Sequence, residues 1–395
     1  MMKRYHIPPF PLLLLLSIIS LIPAHAQVTV GADRSDLYIP LLQGKRVALY
    51  TNHTGRLSDG TMTVDHLIDN GINVVTLFSP EHGIRGNAEA GVHVASSVDD
   101  TTGIPIVSLF GKKYRQEMTH AVDDAEIIVI DIQDVGLRYY TYHITMLELM
   151  NQAVRAHRPV MILDRPNPLG MTVDGPILDM RYASGVGRLP IPTVHGMTLG
   201  ELALMINGEG WLDNHATVEL TVIPCEGYTH ATRYRLPVPP SPNLRDMTAI
   251  YLYPSLCYFE ATPVSLGRGT DFPFKAYGHP AMKDKNNTFS FTPKQKGQYK
   301  PPQAGEECYG EYLGDIDDET LISRGIDLSY LIKAYKKFGS WDKFFTKFFE
   351  NLMGRGDIRP MIERGTTADE IKATWADDIK NFEKQRQPYL IYPIQ

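Results

Sequence analysis

Residues 78–86 place a carboxylate, an imidazole and a guanidinium within five positions, at Glu81, His82 and Arg85. An apolar run precedes them, so these polar side chains come where a buried strand is predicted to end. Proline fixes φ and glycine permits positive φ, so Pro80 and the two glycines of this segment favour one defined loop shape. α/β enzymes present their active-site groups at the carboxyl ends of strands, and a carboxylate there is suited to proton transfer.

Polar side chains also follow three other predicted strands. The carboxyl ends of parallel strands share one edge of a sheet, so we expect the four loops to converge on one cleft. A lone aspartate at a strand end more often caps a helix than catalyses, but four such loops on one edge favour a shared site. The candidate residues in these loops are Asn52, His53, Glu81, His82, Asp131, Gln133, Asp134, Arg138, Tyr142, Asp164, Arg165 and Asn167.

Two later segments add further candidates. His195 could contribute to the cleft, or it could simply precede a helix whose capping box is predicted at residues 198–201. A loop further along holds Glu260, Arg268 and Thr270. Glycines flank this arginine, which lets a guanidinium approach an anion closely. A structural loop with a surface arginine is the alternative interpretation.

Nucleotide cofactors and serine nucleophiles have sequence signatures that this chain lacks. The first predicted strand is followed by T-N-H-T-G at residues 51–55, not by the G-x-G-x-x-G loop that binds a dinucleotide. Neither a Walker motif nor a G-x-S-x-G nucleophile elbow occurs. We therefore predict an enzyme without a cofactor.

Without a nucleotide cofactor or a serine nucleophile, the carboxylates of the cleft are the groups left for catalysis. Glycoside cleavage is a reaction that carboxyl groups catalyse. That reaction needs one carboxyl group to protonate the leaving oxygen, usually with its pKa raised by an apolar surround. A metal-dependent hydrolase is the alternative, because strand-end clusters of these residue types also bind Zn²⁺ or Mn²⁺. No H-E-x-x-H spacing supports it. The plausible metal ligands are His53, Glu81, His82, Asp131 and Asp164.

Short apolar runs alternate with helical patterns in the segment that must position these loops. The runs are apolar on both faces, as in parallel strands buried between two helix layers. This alternation predicts an α/β domain with a doubly wound, mostly parallel sheet. The predicted strands are residues 47–50, 73–78, 104–110, 127–132 and 160–163, and the predicted helices are residues 62–70, 113–122 and 145–157.

The pattern continues with a helix at residues 199–207 and a strand at residues 218–223, and it changes near residue 284. Later residues are polar and then aromatic and lysine-rich, with helical spacing at residues 328–338 and 341–352. We therefore predict a catalytic domain at residues 27–284 and a second, smaller C-terminal domain at residues 285–395.

The first 26 residues have the features of a signal peptide. Lys3 and Arg4 precede an apolar stretch at residues 12–22, and an A-x-A site predicts cleavage near Ala26. Eleven apolar residues are too few to span a bilayer, so we expect a periplasmic or secreted protein that leaves the membrane after cleavage.

The net charge bears on possible binding partners, and the cysteine content bears on disulfide bonds. The formal net charge of −6 argues against nucleic acid, which attracts basic surfaces. Cys225, Cys257 and Cys308 are widely spaced and imply no disulfide framework, although one disulfide or three unpaired thiols are both compatible with the sequence.

From about residue 45 to its C-terminus, the chain resembles the NamZ-type exo-β-N-acetylmuramidase family, formerly a domain of unknown function. Six motifs carry the resemblance in the same order. They are T-N-H-T-G at residues 51–55, S-P-E-H-G at 79–83, D-V-G-x-R-x-Y-T-Y at 134–142, D-R-P-N-P at 164–168, H-G-M-T-x-G-E at 195–201 and G-R-G-T at 267–270.

The resemblance implies a Rossmann-like catalytic domain with a smaller C-terminal α+β auxiliary domain and the site in the cleft between them. It implies release of N-acetylmuramic acid from the non-reducing end of peptidoglycan fragments, so muramyl saccharides are the expected partners. Glu81 is the implied catalytic residue. Its partner is left open between Asp134, Asp131, Glu260 and the acetamido group of the substrate.

The lactyl carboxylate of N-acetylmuramic acid gives Arg138, Arg165 or Arg268 an anion to bind. A protein that only binds wall fragments is a further alternative, although a cleft rich in acids suits an anionic sugar poorly. Inverting, retaining and substrate-assisted cleavage, the tolerance of stem peptides and the oligomeric state are all left open by the sequence.

Overall fold

A computed structural model describes residues 28–80, 84, 97–109, 114–285, 288–297 and 299–395. Strands β1 to β10 are Arg46–Thr51, Asn73–Ser79, Ser97–Val98, Pro105–Ser108, Ile127–Asp131, Val160–Leu163, Leu220–Ile223, Ala276–His279, Ser290–Phe291 and Cys308–Tyr312. Helices α1 to α12 are Ser35–Leu42, Thr63–Asp69, Tyr114–Asp124, Tyr142–Ala156, Leu199–Gly208, Met247–Leu256, Asp318–Arg324, Ser329–Phe338, Phe348–Met353, Ile358–Glu363, Ala368–Ala373 and Ala376–Arg386.

Seven of these strands form one sheet in the order β3-β4-β2-β1-β5-β6-β7. Every neighbouring pair is parallel except β3 and β4. From β1 the chain builds outward through β2 and β4, then returns to β5 on the other side of β1 and builds outward again. The prediction of a doubly wound, mostly parallel sheet is confirmed. The switch between β1 and β5 is where open sheets of this kind bind ligands.

The central strands are buried because both of their faces pack against helices. Ala48 and Tyr50 of β1 belong to the larger hydrophobic core, which includes residues of α3, α4 and α5. Val47 and Leu49 belong to a smaller core on the opposite face, with residues of α1 and α2. Successive side chains of a strand point to opposite faces, so an unbroken apolar run is what two helix layers require.

A second sheet is antiparallel and has the order β8-β10-β9. Strand β8, before residue 284, pairs with β10 after it, and helices α7 to α12 follow in the chain. Residues on both sides of position 284, such as Ile128 and Trp375, share the larger core. A second, smaller α+β part is therefore present, while the division into residues 27–284 and 285–395 stays a prediction.

Helix predictions differ from the structure mainly near residue 341. The predicted helix at residues 341–352 is divided into a 3₁₀ turn, Trp341–Lys343, and helix α9. The nitrogen and hydroxyl of Thr346 both donate to the carbonyl of Ala261, at 2.9 and 3.0 Å, and these bonds interrupt the helical ladder. Helices α1 and α6 were not predicted, and for α7 and α10 to α12 the sequence indicated helix from about residue 320 onward without separate bounds.

The three cysteines are buried and unpaired. In the part of the chain that the structure describes, no helix combines the length and apolar character needed to cross a membrane. The predicted signal peptide at residues 1–26 lies outside the described residues.

Candidate functional site

The loops after β1 and β5 meet at the switch point of the sheet. Asn52 is fully buried, and its Nδ2 donates to the hydroxyl of Tyr142 at 3.0 Å. Its Oδ1 accepts from the nitrogen and the hydroxyl of Thr54, at 2.9 and 2.6 Å. The nitrogen of Gln133 in turn donates to the Thr54 hydroxyl at 3.0 Å. Asn52 thus holds both loops and the first residue of α4 together.

Asp131 and Arg165 form a buried ion pair beside this junction. Arg165 donates from Nε to Oδ1 of Asp131 at 2.6 Å and from Nη2 to Oδ2 at 2.9 Å. Thr63 also donates to Oδ2, and Arg165 Nη2 reaches the carbonyl of Arg56 at 2.8 Å. Both carboxylate oxygens of Asp131 therefore already have donors, and the guanidinium faces this carboxylate rather than open space.

Asp164 links the end of β6 to distant parts of the chain. Its Oδ1 accepts from the nitrogen of Gly200 at 2.9 Å, and its Oδ2 accepts from the hydroxyl of Tyr392 at 2.7 Å. Burial raises its pKa to about 6. The nitrogens of Ile391 and Tyr392 donate to Oε1 of Glu201 at 3.0 and 3.3 Å, so the C-terminal tail is anchored beside α5.

Three other predicted site residues support neighbouring loops. Gln133 donates from Nε2 to the carbonyls of Asp134 and Pro166, both at 2.8 Å. Asn167 donates to the carbonyl of Met197 at 2.9 Å. Nδ1 of buried His195 accepts from the Met197 nitrogen at 3.2 Å, and burial lowers the pKa of this histidine well below its usual value. The capping box predicted after it, at residues 198–201, is confirmed.

Arg138 is fully buried away from carboxylates in the described part of the chain. It donates to four main-chain carbonyls, and burial lowers its pKa to about 10. The acceptors are Pro176 and Ile191 at 2.6 and 3.1 Å, with Leu352 and Met353 both at 2.9 Å. Arg138 therefore ties the loop after β5 to helix α9 of the C-terminal part.

Asp134 differs from the other aspartates of this edge. Its Oδ1 accepts from the nitrogen of Gly136 at 2.6 Å, whereas its buried Oδ2 has no hydrogen-bond partner among the described residues. Burial raises its pKa to about 7. The neighbouring Tyr140 also has a raised pKa, chiefly from burial and further from the charges of Tyr142 and Asp134. Asp134 is therefore a buried carboxyl group able to hold a proton near neutral pH.

A pocket of about 380 Å³ opens between the loop after β5 and the segments on either side of the predicted domain boundary. Tyrosines form much of its wall, and the residues that bear on its chemistry are Tyr140, Tyr142, Tyr253, Glu260, Arg268, Phe274 and Tyr299. Three predicted residues, Tyr142, Glu260 and Arg268, are thus brought together. Tyr253 and Tyr299 were missed, because neither lies within a predicted motif, whereas Tyr140 lies within the motif at residues 134–142.

Glu260 and Arg268 form an ion pair in this pocket, with Nη2 of the arginine donating to Oε1 of the glutamate. The guanidinium also lies over the ring of Phe274, 4.9 Å from its centre. Burial alone would lower the pKa of Arg268, but the charge and hydrogen bond of Glu260, together with smaller contributions from Tyr299 and Tyr253, raise it overall. Thr270 donates to the Gly267 carbonyl at 2.6 Å and so shapes the arginine loop.

A proline-rich loop at residues 239–244 lines the pocket with Ser241, Asn243 and Leu244, a role that no motif in the sequence indicated. His53 is half-buried and its Nε2 lies 2.9 Å from the carbonyl of Pro239. Tyr140 donates to the carbonyl of Pro240 at 2.9 Å.

Glu81 and His82 lie outside the described residues. The strand that precedes them, β2, ends at Ser79, and Ser79 pairs with Ser108 of β4.

A metal site was the alternative predicted for this cleft. In the described ranges, no three His, Cys, Asp or Glu side chains are grouped so as to hold a metal ion. Of the proposed ligands, Asp131 is engaged by Arg165, and Asp164 by Gly200 and Tyr392.

Comparison with known proteins gives matches along nearly the whole chain. The family profile "Exo-beta-N-acetylmuramidase NamZ, N-terminal" matches residues 47–248, and its C-terminal counterpart matches residues 251–392. The peptidoglycan beta-N-acetylmuramidase NamZ of Bacillus subtilis (strain 168) is 39% identical over 383 residues, which cover 90% of this chain and 89% of that protein.

Two crystal structures of DUF1343 family proteins from Bacteroides fragilis NCTC 9343 have the same fold. One has a TM-score of 0.86 and 51% identity, covering 94% of this chain and 100% of its own. The other has a TM-score of 0.79 and 26% identity, covering 92% and 99%.

Proposed function

Since the chain belongs to the exo-beta-N-acetylmuramidase NamZ family and is a glycoside hydrolase, we propose that it removes terminal N-acetylmuramic acid from peptidoglycan fragments. The tyrosine-lined pocket with the Glu260–Arg268 pair is the observation that carries this substrate assignment. Aromatic walls bind the apolar faces of a sugar ring, and a guanidinium binds its carboxylate substituent.

The size of the pocket supports exo action. About 380 Å³ lies at the small end of the range for ligand sites and suits a single terminal sugar rather than a long glycan. The pocket opens beside the switch point of the sheet, where open α/β folds bind their ligands.

Glu81 is our proposed general acid. Glycoside cleavage requires a carboxyl group that protonates the leaving oxygen, and the motif at residues 79–83 supplies one after β2, the neighbour of β1 in the sheet.

For the second catalytic group, we favour Asp134 over Asp131. Asp134 has an unbonded carboxyl oxygen in the described structure and a pKa raised by burial to about 7, both of which suit proton transfer near neutral pH. Both oxygens of Asp131 accept hydrogen bonds from Arg165 or Thr63. The carboxylate of Glu260 is already paired with Arg268, which makes it a weaker candidate than Asp134.

The assignment of Glu81 is tested by comparing Glu81→Gln with the wild type on a chromogenic N-acetylmuramide. We expect kcat to fall by at least about 100-fold, the usual contribution of a general acid, with the melting temperature unchanged. Glu219→Gln is the matched control, because this glutamate is exposed. A folded Glu81→Gln enzyme with a near-normal kcat would rule the assignment out.

We also propose export to the periplasm or medium with cleavage near Ala26, supported by the pattern of the first 26 residues. Mass spectrometry of the protein from its native host should find Gln27 as the first residue. An intact N-terminus would contradict the proposal.

A further inference from the structure

The charged side chains of the pocket are already paired with each other. Of the described residues that line it, only Glu260 and Arg268 carry a formal charge. The other titratable side chains facing this pair are Tyr253, Cys257 and Tyr299. Burial, with a smaller contribution from neighbouring charges, raises the pKa of Tyr253 and Cys257, so both are neutral at pH 7. The empty pocket is therefore close to neutral overall.

The position of Arg268 is built into its loop. Gly267 and Gly269 on either side have positive φ angles of 71° and 80°, which side chains rarely adopt. A Cβ atom on Gly269 would lie 2.3 Å from the carbonyl oxygen of Lys294, so this turn also requires a glycine for space. The loop thus directs one guanidinium into the pocket, over the ring of Phe274.

The guanidinium retains donors for a second anion. Within the described structure, its hydrogen bond is the one from Nη2 to Oε1 of Glu260. A guanidinium has five N–H groups, so four N–H groups, on Nε, Nη1 and Nη2, can still donate to another carboxylate. The arginine side chain is 16% exposed and the glutamate 30%, so both can be reached from the pocket.

An anionic sugar at this place is attracted by Arg268 and repelled by Glu260. A cation that is mostly buried is unfavourable without a partner, so Glu260 stabilises Arg268 before a ligand binds. The same carboxylate opposes any second anion that binds to the guanidinium.

The geometry points to Glu260 as the resident counter-ion of Arg268, and to Arg268 as the receptor for the carboxylate substituent of the terminal sugar. Glu260 is then a specificity-determining residue: it keeps the arginine in place and sets how strongly an acidic sugar is preferred over a neutral one. This inference rests on the proposed function for the identity of the acidic sugar.

Calorimetric titration of the whole protein with N-acetylmuramic acid and with N-acetylglucosamine tests it at pH 7. For Glu260→Gln, which keeps an acceptor for Arg268 but removes the charge, we expect the Kd of the acidic sugar to fall roughly five- to tenfold. The Kd of the neutral sugar should stay within about twofold, because it has no charge to interact with. Arg268→Gln should abolish the preference for the acidic sugar.

Glu260→Ala distinguishes the effect of the negative charge from the effect of holding Arg268 in place. Unlike Glu260→Gln, it also removes the acceptor for Arg268. It should gain less affinity for the acidic sugar than Glu260→Gln. Equal weakening of both sugars in Glu260→Gln, or an unchanged Kd for the acidic one, would overturn the counter-ion role. A loss of kcat of about 100-fold with unchanged Kd would instead make Glu260 catalytic. If the wild type binds neither sugar, the proposed function fails together with this inference.

Discussion

Asn52 and Tyr142 join two loops of the candidate site through a buried hydrogen bond of 3.0 Å. Asn52 lies just after β1, and Tyr142 both begins α4 and lines the pocket. This side-chain contact, between residues 90 positions apart, therefore helps to fix the pocket wall to the switch point of the sheet.

Breaking this contact should destabilise the protein and disturb the pocket. Asn52→Ala removes the buried oxygen that accepts from Thr54 and the amide that donates to Tyr142, and it should lower the free energy of unfolding by about 1–3 kcal/mol. Tyr142→Phe should cost less, about 1 kcal/mol, since it removes one hydroxyl. Urea unfolding of both variants and of the double variant measures the coupling. Additive losses would show that the hydrogen bond contributes nothing.

The Asp131–Arg165 pair should act mainly on stability. Asp131→Asn leaves a buried guanidinium without its counter-charge and should lower the free energy of unfolding by about 3–5 kcal/mol. The exposed pair of Arg155 and Asp123 offers a control, and Asp123→Asn should change stability by less than about 1 kcal/mol. An Asp131→Asn protein of normal stability that has lost kcat would make Asp131 a catalytic residue instead.

The contribution of Asp134 to the free energy of unfolding should fall as pH rises from about 4 to about 7. Its pKa is raised in the folded protein to about 7, so the folded state keeps a proton that the unfolded chain releases near its ordinary pKa of about 3.9. The stabilisation is complete below that lower pKa and is lost as pH approaches 7.

Asp134→Asn removes this dependence, so the stability difference between the two proteins should change over that window by up to about 4 kcal/mol. Unfolding at pH 4.5, 5.5, 6.5 and 7.5, roughly spanning the window, measures it. Asp164 and the buried histidines titrate in both proteins and cancel in the difference. Parallel pH curves would contradict the raised pKa.

Activity should survive removal of metal ions. Asp131 and Asp164, two of the ligands that the sequence suggested, already use both carboxylate oxygens in hydrogen bonds to the protein. We expect kcat on the chromogenic muramide to be unchanged after dialysis against EDTA and after addition of Zn²⁺. Activity that disappears with EDTA and returns with Zn²⁺ would favour a metal-dependent hydrolase.

Strands of the parallel sheet could be predicted closely because their burial leaves a simple pattern. Residues 127–132 were predicted and Ile127–Asp131 is observed, since a strand covered on both faces must be apolar throughout. The break near residue 346 could not be predicted, because it depends on a contact with Ala261, 85 positions away. Tertiary contacts of this kind leave no local pattern.

The candidate site follows the same division. That the strand-end loops share one edge follows from parallel strands, and the loops after β1 and β5 do meet. The sequence does not predict which of these polar side chains stay free of protein partners, because Asp131 and Asp134 both lie at the end of the same strand. The three-dimensional structure shows the difference: both oxygens of Asp131 accept from Arg165, whereas Asp134 has an oxygen without a hydrogen-bond partner among the described residues.

The anchored tail also has a consequence for the order of synthesis. Asp164 directly follows β6, yet Tyr392, whose hydroxyl donates to its carboxyl group, is synthesised 228 residues later. A nascent chain can form the parallel sheet long before this donor leaves the ribosome. Until then, Asp164 and Glu201 lack the hydrogen bonds that Ile391 and Tyr392 donate. Final packing around these two acids must therefore wait for Ile391 and Tyr392.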